Sequence, residues 1–361
     1  MKKSRYEIGD IVFVSDYKYE DGVINSVEVS NITSNGFTLS VDATSDVGIE
    51  RYYYIIESEN ISGTSTINSY TFTTLNSGKL YTVNVLDEDM NGNYSNKYNL
   101  NVQTEDNTLA TYIKGLYTSQ GSNGIYYHTS GLANSATDNS YRYAGASESI
   151  NNYVCFGTDE ETCLEDNLYR IIGVFGNEVK LIKSTSIGTY AWDSGADSGN
   201  TWSTSDIKNT LNTTFLYTLS STWQNKIATY IWFVSGYNTI DVTSETWYNA
   251  ESSGTTWSGK IGLMYVSDYG FAASPSYWTT NMRYYNSAIS NNWMNAGISE
   301  WTISPNSSVS YDAFVVNFSG TISGAATGVI TGYKVRPTFY LNSDVQYVSG
   351  SGTSYDPIRI Q

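Results

Sequence analysis

Leu75-Asn76-Ser77-Gly78-Lys79-Leu80-Tyr81-Thr82-Val83-Asn84-Val85 is the stretch from which the organisation of this chain is read. A leucine, a turn containing glycine, and a tyrosine that starts an alternating run form a tyrosine corner. In that motif the phenol hydroxyl bonds back to upstream backbone and pins a bend between strands of a β-sandwich. The neighbouring sequence has the same grain. Phe37, Leu39 and Val41 alternate with Thr38, Ser40 and Asp42, which gives one buried face. Arg51-Tyr52-Tyr53-Tyr54-Ile55-Ile56 and Tyr70-Thr71-Phe72 supply further short strands between turns. One β domain is therefore expected over residues 26–104, after a 1–25 fragment or linker with a strand at 6–14 and a turn at 16–22. Asp87-Glu88-Asp89-Met90-Asn91-Gly92 fits the opening of a calcium loop, but the twelfth position is Tyr98, which has no carboxylate. The stretch reads as a polar turn.

A linker at 103–107 leads to a second domain, 109–361. Thr108 is placed to cap a short helix carrying Leu109, Ile113, Leu116 and Tyr117. The region holding Tyr126, Tyr127, Tyr141 and Tyr143 reads as irregular. Leu168-Tyr169-Arg170-Ile171-Ile172-Gly173-Val174-Phe175, a turn at Gly176-Asn177 and Val179-Lys180-Leu181-Ile182 form a hairpin signal. Ser205 caps an expected helix with Ile207, Leu211, Phe215 and Leu219, and a second helix is expected through Trp223, Ile227 and Ile231. After it the chain reads as strand and loop, with a late edge strand around Pro337 and a final short strand.

At 361 residues the chain is long enough for two domains, and 40% hydrophobic residues suffice to fill two cores. The net charge of −16 provides no basic stripe for phosphate, so nucleic acid is not an expected partner. The same sign opposes binding to anionic lipid. No run of about 18 apolar residues is present, so no membrane insertion by this chain is expected. Ile11-Val12-Phe13-Val14 is too short for a signal-peptide core, which leaves open a removed leader, a fragment or another export route. Cys155 and Cys163 can close a small loop. A disulfide, and with it an oxidising compartment, is expected, with two buried thiols as the alternative.

Residues 26–104 resemble a fibronectin type III domain, with Phe37 in place of the usual early-strand Trp. In the second domain the segments Asn152-Tyr153-Val154-Cys155-Phe156-Gly157, Asp166 to Gly173, Lys260 to Tyr269, and Val335-Arg336-Pro337 with Tyr340-Leu341, Gly350 and Asp356-Pro357 resemble surface proteins of gut Firmicutes. At fold level that region is similar to the C-type-lectin-like class, which includes formylglycine-generating enzymes and the variable proteins of diversity-generating retroelements. The fold class implied is mainly β with a few helices: a fibronectin type III-like β-sandwich followed by an α+β C-type-lectin-like domain. The resemblance implies binding on a loopy face, and names no ligand.

The chain is not expected to be an enzyme and no cofactor or metal is expected. The single histidine, His128, sits among tyrosines and reads as a packed or surface imidazole. The cysteines lie upstream of the region where an oxidase of the formylglycine type would need them. Asp193 and Asp197 read as a polar loop, and no pair of carboxylates stands out for glycosidase chemistry. The best candidate for contact is 277–301, where Arg283, Tyr284, Tyr285, Asn286, Asn292, Trp293 and Asn295 combine aromatic anchors with adaptable amides. Trp278 and Trp301, in the same stretch, read as core. The expected function is an adhesin-like protein of the cell surface or extracellular space that binds a protein or glycan on a host or neighbouring cell. A structural pilus or surface-layer component, or an enzyme of formylglycine-generating or glycosidase type, are the competing readings.

Overall fold

A computed structural model describes residues 22–194, 199–324 and 329–361. The strand expected at 6–14, the turn at 16–21 and Asp197 lie outside the described residues. The chain divides into two compact units, Met1–Asn107 and Thr108–Gln361.

The first unit is a β-sandwich of the fibronectin type III kind. Its strands are β1 (Gly22–Thr33), β2 (Gly36–Ser45), β3 (Ile49–Ile56), β4 (Ile61–Ser65), β5 (Ser69–Phe72), β6 (Leu80–Asp89) and β7 (Tyr98–Gln103). They form two antiparallel sheets, in the orders β1-β2-β5 and β4-β3-β6-β7. The period-two pattern sets which side chains meet: Phe37, Leu39 and Val41 from one sheet face Tyr54, Ile56, Tyr81, Val83 and Val85 from the other, all buried. Phe37 packs against Phe72 with ring centroids 5.3 Å apart. The tyrosine corner is made as expected, with the Asn76 N–H donating to the Tyr81 hydroxyl at 2.7 Å. The Asp89 carboxylate holds the following turn by accepting from Asn91 N–H at 2.8 Å and Asn93 N–H at 2.9 Å.

Asp87 departs from this economy. It is fully buried at the end of β6, and neither carboxylate oxygen has a hydrogen-bond partner among the described residues. Burial raises its pKa; the Ser95 hydroxyl beside it offsets only some of this, and Asp89 adds to it. With the folded value above the unfolded one, the favourable contribution is complete below about pH 4 and fades as pH rises through the folded value. Asp87→Asn is therefore expected to stabilise the sandwich at neutral pH by about 1–3 kcal/mol, with the gain vanishing in acid. Calorimetry at both pH values checks this, and a destabilised variant at pH 7 contradicts it.

The second unit is α+β and holds the larger core. Its main sheet has the order Ile261–Gly262, Thr338–Tyr340, Glu178–Lys183, Leu168–Phe175, Tyr141–Tyr143, Ile125–Tyr127, and Tyr153–Cys155 also pairs with Leu168–Phe175. The expected hairpin is its centre, with Gly176 at φ +65° in the turn. A second sheet runs Thr189–Ala191, Gly332–Lys334, Glu300–Pro305, Ala313–Val316, Ile322–Ser323. Among the described residues five α-helices accompany them: α1 (Leu109–Leu116), α2 (Asp206–Thr210), α3 (Ser221–Lys226), α4 (Ser244–Ser252) and α5 (Val266–Phe271). Thr108 and Ser205 cap α1 and α2, their side chains accepting from Thr111 N–H and Lys208 N–H, both at 3.3 Å. Cys155 and Cys163 are disulfide-bonded. The unit begins and ends on one ladder: Thr108 bridges Gln346, Leu109 N–H donates to Val345 at 2.8 Å, and Gln346 exchanges two backbone bonds with Gln361.

Several expectations are corrected. Tyr126, Tyr127, Tyr141 and Tyr143 are not irregular, because their segments pair with each other and join the main sheet. The second expected helix stops at Lys226. Ile227 bridges Leu341, and Ile231 points outward from the strand Tyr230–Phe233. Two helices, α4 and α5, occupy sequence read as strand and loop. The strand after Pro337 is interior, between Ile261–Gly262 and Glu178–Lys183. Pro337 itself precedes it and needs no donor, since its carbonyl accepts from Lys183 N–H at 2.9 Å.

Candidate recognition surface

The stretch Met282–Asn291 is a run of 3-10 turns rather than an α-helix. Three residues per turn stack positions i, i+3 and i+6 on one side. Met282, Tyr285 and Ala288 therefore face the core, while Arg283, Tyr284, Asn286, Ser287, Ile289 and Ser290 face solvent. Tyr284 is 59% exposed. Arg283 makes a bidentate ion pair with Asp241, one arm at 2.8 Å, which fixes the guanidinium at the rim.

This divides the seven expected contact residues. Arg283, Tyr284 and Asn286 lie on the surface; Asn295 is half-buried, its side-chain oxygen accepting from Gly297 N–H at 3.2 Å. Tyr285, Asn292 and Trp293 are interior, and the expectation that they meet ligand is corrected. The Tyr285 hydroxyl donates to the Gly270 carbonyl at 2.9 Å, and burial raises its pKa. Asn292 gives its amide to the Tyr269 carbonyl at 2.9 Å and accepts from Met294 N–H at 3.0 Å. Trp293 donates to the Tyr143 carbonyl at 2.7 Å and receives the Arg170 guanidinium over its ring at 4.7 Å. Each has its polar atoms satisfied inside, so none is left to bind. Trp278 and Trp301 are buried, as read.

Two apolar side chains that the sequence reading missed adjoin the exposed ridge. Ile289 is 39% and Phe318 is 70% exposed. Phe318 belongs to the turn closed by Asn317 and Thr321, and Gly320 of that turn lies against Ile289 and the backbone of Tyr285. The Tyr269 hydroxyl clamps the turn by donating to the Gly320 carbonyl at 3.0 Å. An exposed Phe two residues before a glycine turn is a signal a sequence reader could use, but nothing in the sequence places it beside 282–291. Elsewhere an open polar cleft of about 390 Å³ lies between the strand Thr189–Ala191 and α2, lined by Tyr190, Asp206, Asn209 and Thr213 among others.

Beneath this surface is a sealed polar network. Asp268 in α5 accepts from Lys180 Nζ at 2.6 Å, Arg142 Nη1 at 3.3 Å and Tyr265 N–H at 3.0 Å. Arg142 reaches Asp138 at 2.6 Å. Burial pushes the Asp138 carboxyl up, but Arg142 and the Ser140 hydroxyl outweigh it and hold it at about 2. Glu251, also buried, is pushed up to about 7 by desolvation against the opposing pull of Ser267 and Ser304. His128 is buried against Phe271 and Trp278; burial and then Arg142 hold it well below its ordinary pKa, so its imidazole is neutral. Among the described residues no group of three or more His, Cys, Asp or Glu is arranged to hold a metal ion. No described helix is long and apolar enough to cross a membrane.

Residues 176–343 match the family described as a domain of unknown function (DUF6273), and the matched region lies inside the second unit. No curated protein matches the chain. Among solved structures the chain is similar to a chitinase, ChiA74, from Bacillus thuringiensis, at 14% identity and TM-score 0.22 over 47% of this chain and 18% of that one. It is similar to the FN1–FN3 domains of chicken CNTN1 at 16% identity and TM-score 0.22, covering 25% of this chain and 32% of that one. The FN3tt domain gives 18% identity and TM-score 0.20, covering 23% of this chain and 91% of that one. The chain thus spans less than a third of the chitinase and about a third of the CNTN1 fragment. The sandwich assignment rests on the strand order and the tyrosine corner described above.

Proposed function

We propose that the chain is a non-enzymatic recognition protein of the cell surface or extracellular space, in which the second unit, of C-type-lectin-like type, presents the contact face. The reading is supported chiefly by one observation: Tyr284, Ile289 and Phe318 stand exposed on two adjoining segments that are themselves fixed from below. Large aromatic side chains left in water on a rigid support, surrounded by amide and hydroxyl groups, are the usual makings of a contact patch. Asn286, Ser287, Ser290 and Ser319 supply those polar neighbours, and the Arg283–Asp241 pair adds a charge-neutral rim. A protein or glycan ligand suits such a face. The disulfide fits an oxidising compartment.

The double variant Tyr284→Ala, Phe318→Ala is expected to lose capture on protein and glycan arrays at least tenfold. Its melting temperature should stay within a degree or two, because both side chains stand in solvent. Undiminished capture by the folded variant places recognition elsewhere, for instance in the cleft beside Tyr190, and overturns the assignment.

A further inference from the structure

Lys180 and Asp268 carry 0% and 1% side-chain exposure, and their polar atoms touch at 2.6 Å. The ammonium is enclosed by rings, with Tyr265 at 4.0 Å, Trp232 and Tyr340 both at 5.2 Å, and Phe175 at 5.7 Å. On the far side of Asp268, Arg142 contacts the other carboxylate oxygen and is itself paired with Asp138. Sealing such a lysine and aspartate away from water is costly, since each charge loses its hydration.

We propose that Lys180 and Asp268 become joined by an intramolecular amide bond between Nζ and the side-chain carboxyl carbon Cγ. The ion pair already contains every atom the reaction needs. One ammonium proton first passes to Oδ2 across their hydrogen bond, which frees the Nζ lone pair; the Nζ–Cγ bond then forms and the Cγ–Oδ2 bond breaks. Two of the three ammonium protons leave with Oδ2 as water, the third stays on the amide nitrogen, and nothing is oxidised or reduced. A nitrogen held in contact with one carboxylate oxygen sits at about the near-attack distance of 3–3.5 Å from its carbon, an arrangement that replaces a bimolecular encounter with a fixed one. Arg142 Nη1 touches Oδ1, where negative charge collects in the tetrahedral intermediate. The Tyr265 N–H touches Oδ2, the departing oxygen.

The product is better suited to the site than the reactants. Two buried charges disappear, the neutral amide remains among the rings, and Arg142 with Asp138 is left as a balanced pair. The released water gains the solvent's freedom. The bond links the strand Glu178–Lys183 to α5, so it staples the centre of the main sheet to the helix that supports Tyr269 and, through it, the Gly320 turn.

The test is the mass of the intact full chain, reduced and denatured. Wild type is expected to be lighter than its sequence by one water, and proteolysis should release a branched peptide that joins the segment of Lys180 to that of Asp268. Lys180→Met should show its full sequence mass. Wild type at full sequence mass overturns the proposal and leaves an ordinary ion pair. A water loss that maps to other residues, or persists in Lys180→Met, overturns it equally. The wild-type measurement decides even if the variant does not fold.

Discussion

Trp293→Ala is expected to unfold the second unit in denaturant at concentrations that leave the wild type intact. Removing a buried indole costs about 3–5 kcal/mol in lost burial and the cavity left behind. Here two further interactions go with it: the bond to the Tyr143 carbonyl and the ring face that receives Arg170. Tyr284→Ala, in the same stretch, should shift stability by no more than about 0.5 kcal/mol. The readout is specific, because all nine tryptophans of the chain lie in the second unit and their fluorescence ignores the sandwich. Equal, small effects of the two substitutions would mean that Trp293 is not packed as described.

The second large effect is expected at Arg336. Its guanidinium and the Glu300 carboxylate are both buried and meet as a fork, Nε and Nη2 each at 2.7 Å, with Nη2 also donating to the Met294 carbonyl at 2.8 Å. Arg336→Met leaves Glu300 charged and uncompensated in the interior, which costs about 3–5 kcal/mol. The informative comparison is the double variant Arg336→Met, Glu300→Met, because exchanging both ions for apolar groups removes the two desolvation penalties together. Urea unfolding followed by tryptophan fluorescence should place the double variant nearer wild type than Arg336→Met alone. A double variant as unstable as the sum of the singles contradicts the account.

The sandwich was readable from sequence because its pattern is local. Period-two alternation at Phe37, Leu39 and Val41 and the Leu75-to-Tyr81 corner each specify a strand or a bend within a few residues. The same holds for the Leu168–Ile182 hairpin and for the caps Thr108 and Ser205. The second unit's other elements are defined by distant partners. Short strands such as Tyr141–Tyr143 carry no signal until Leu168–Phe175 lies beside them, and α5 gains its place from a charge network contributed by Lys180 and Arg142. The surface stretch shows the same limit at finer scale. Its residue types read as contact-like, but the backbone winds with three residues per turn. That period, visible as Met282, Tyr285 and Ala288, sends Tyr285 inward and Tyr284 outward. Trp293 went inward because its indole found a carbonyl and a guanidinium far away in sequence.

The shared ladder at Thr108, Gln346 and Gln361 has a mechanical consequence. Tension applied between Thr108 and Gln361 runs across a few backbone bonds near Gln346. Thr108 and Gln361 lie on strands that both run antiparallel to that of Gln346, so the pull slides them along it in shear and loads those bonds side by side.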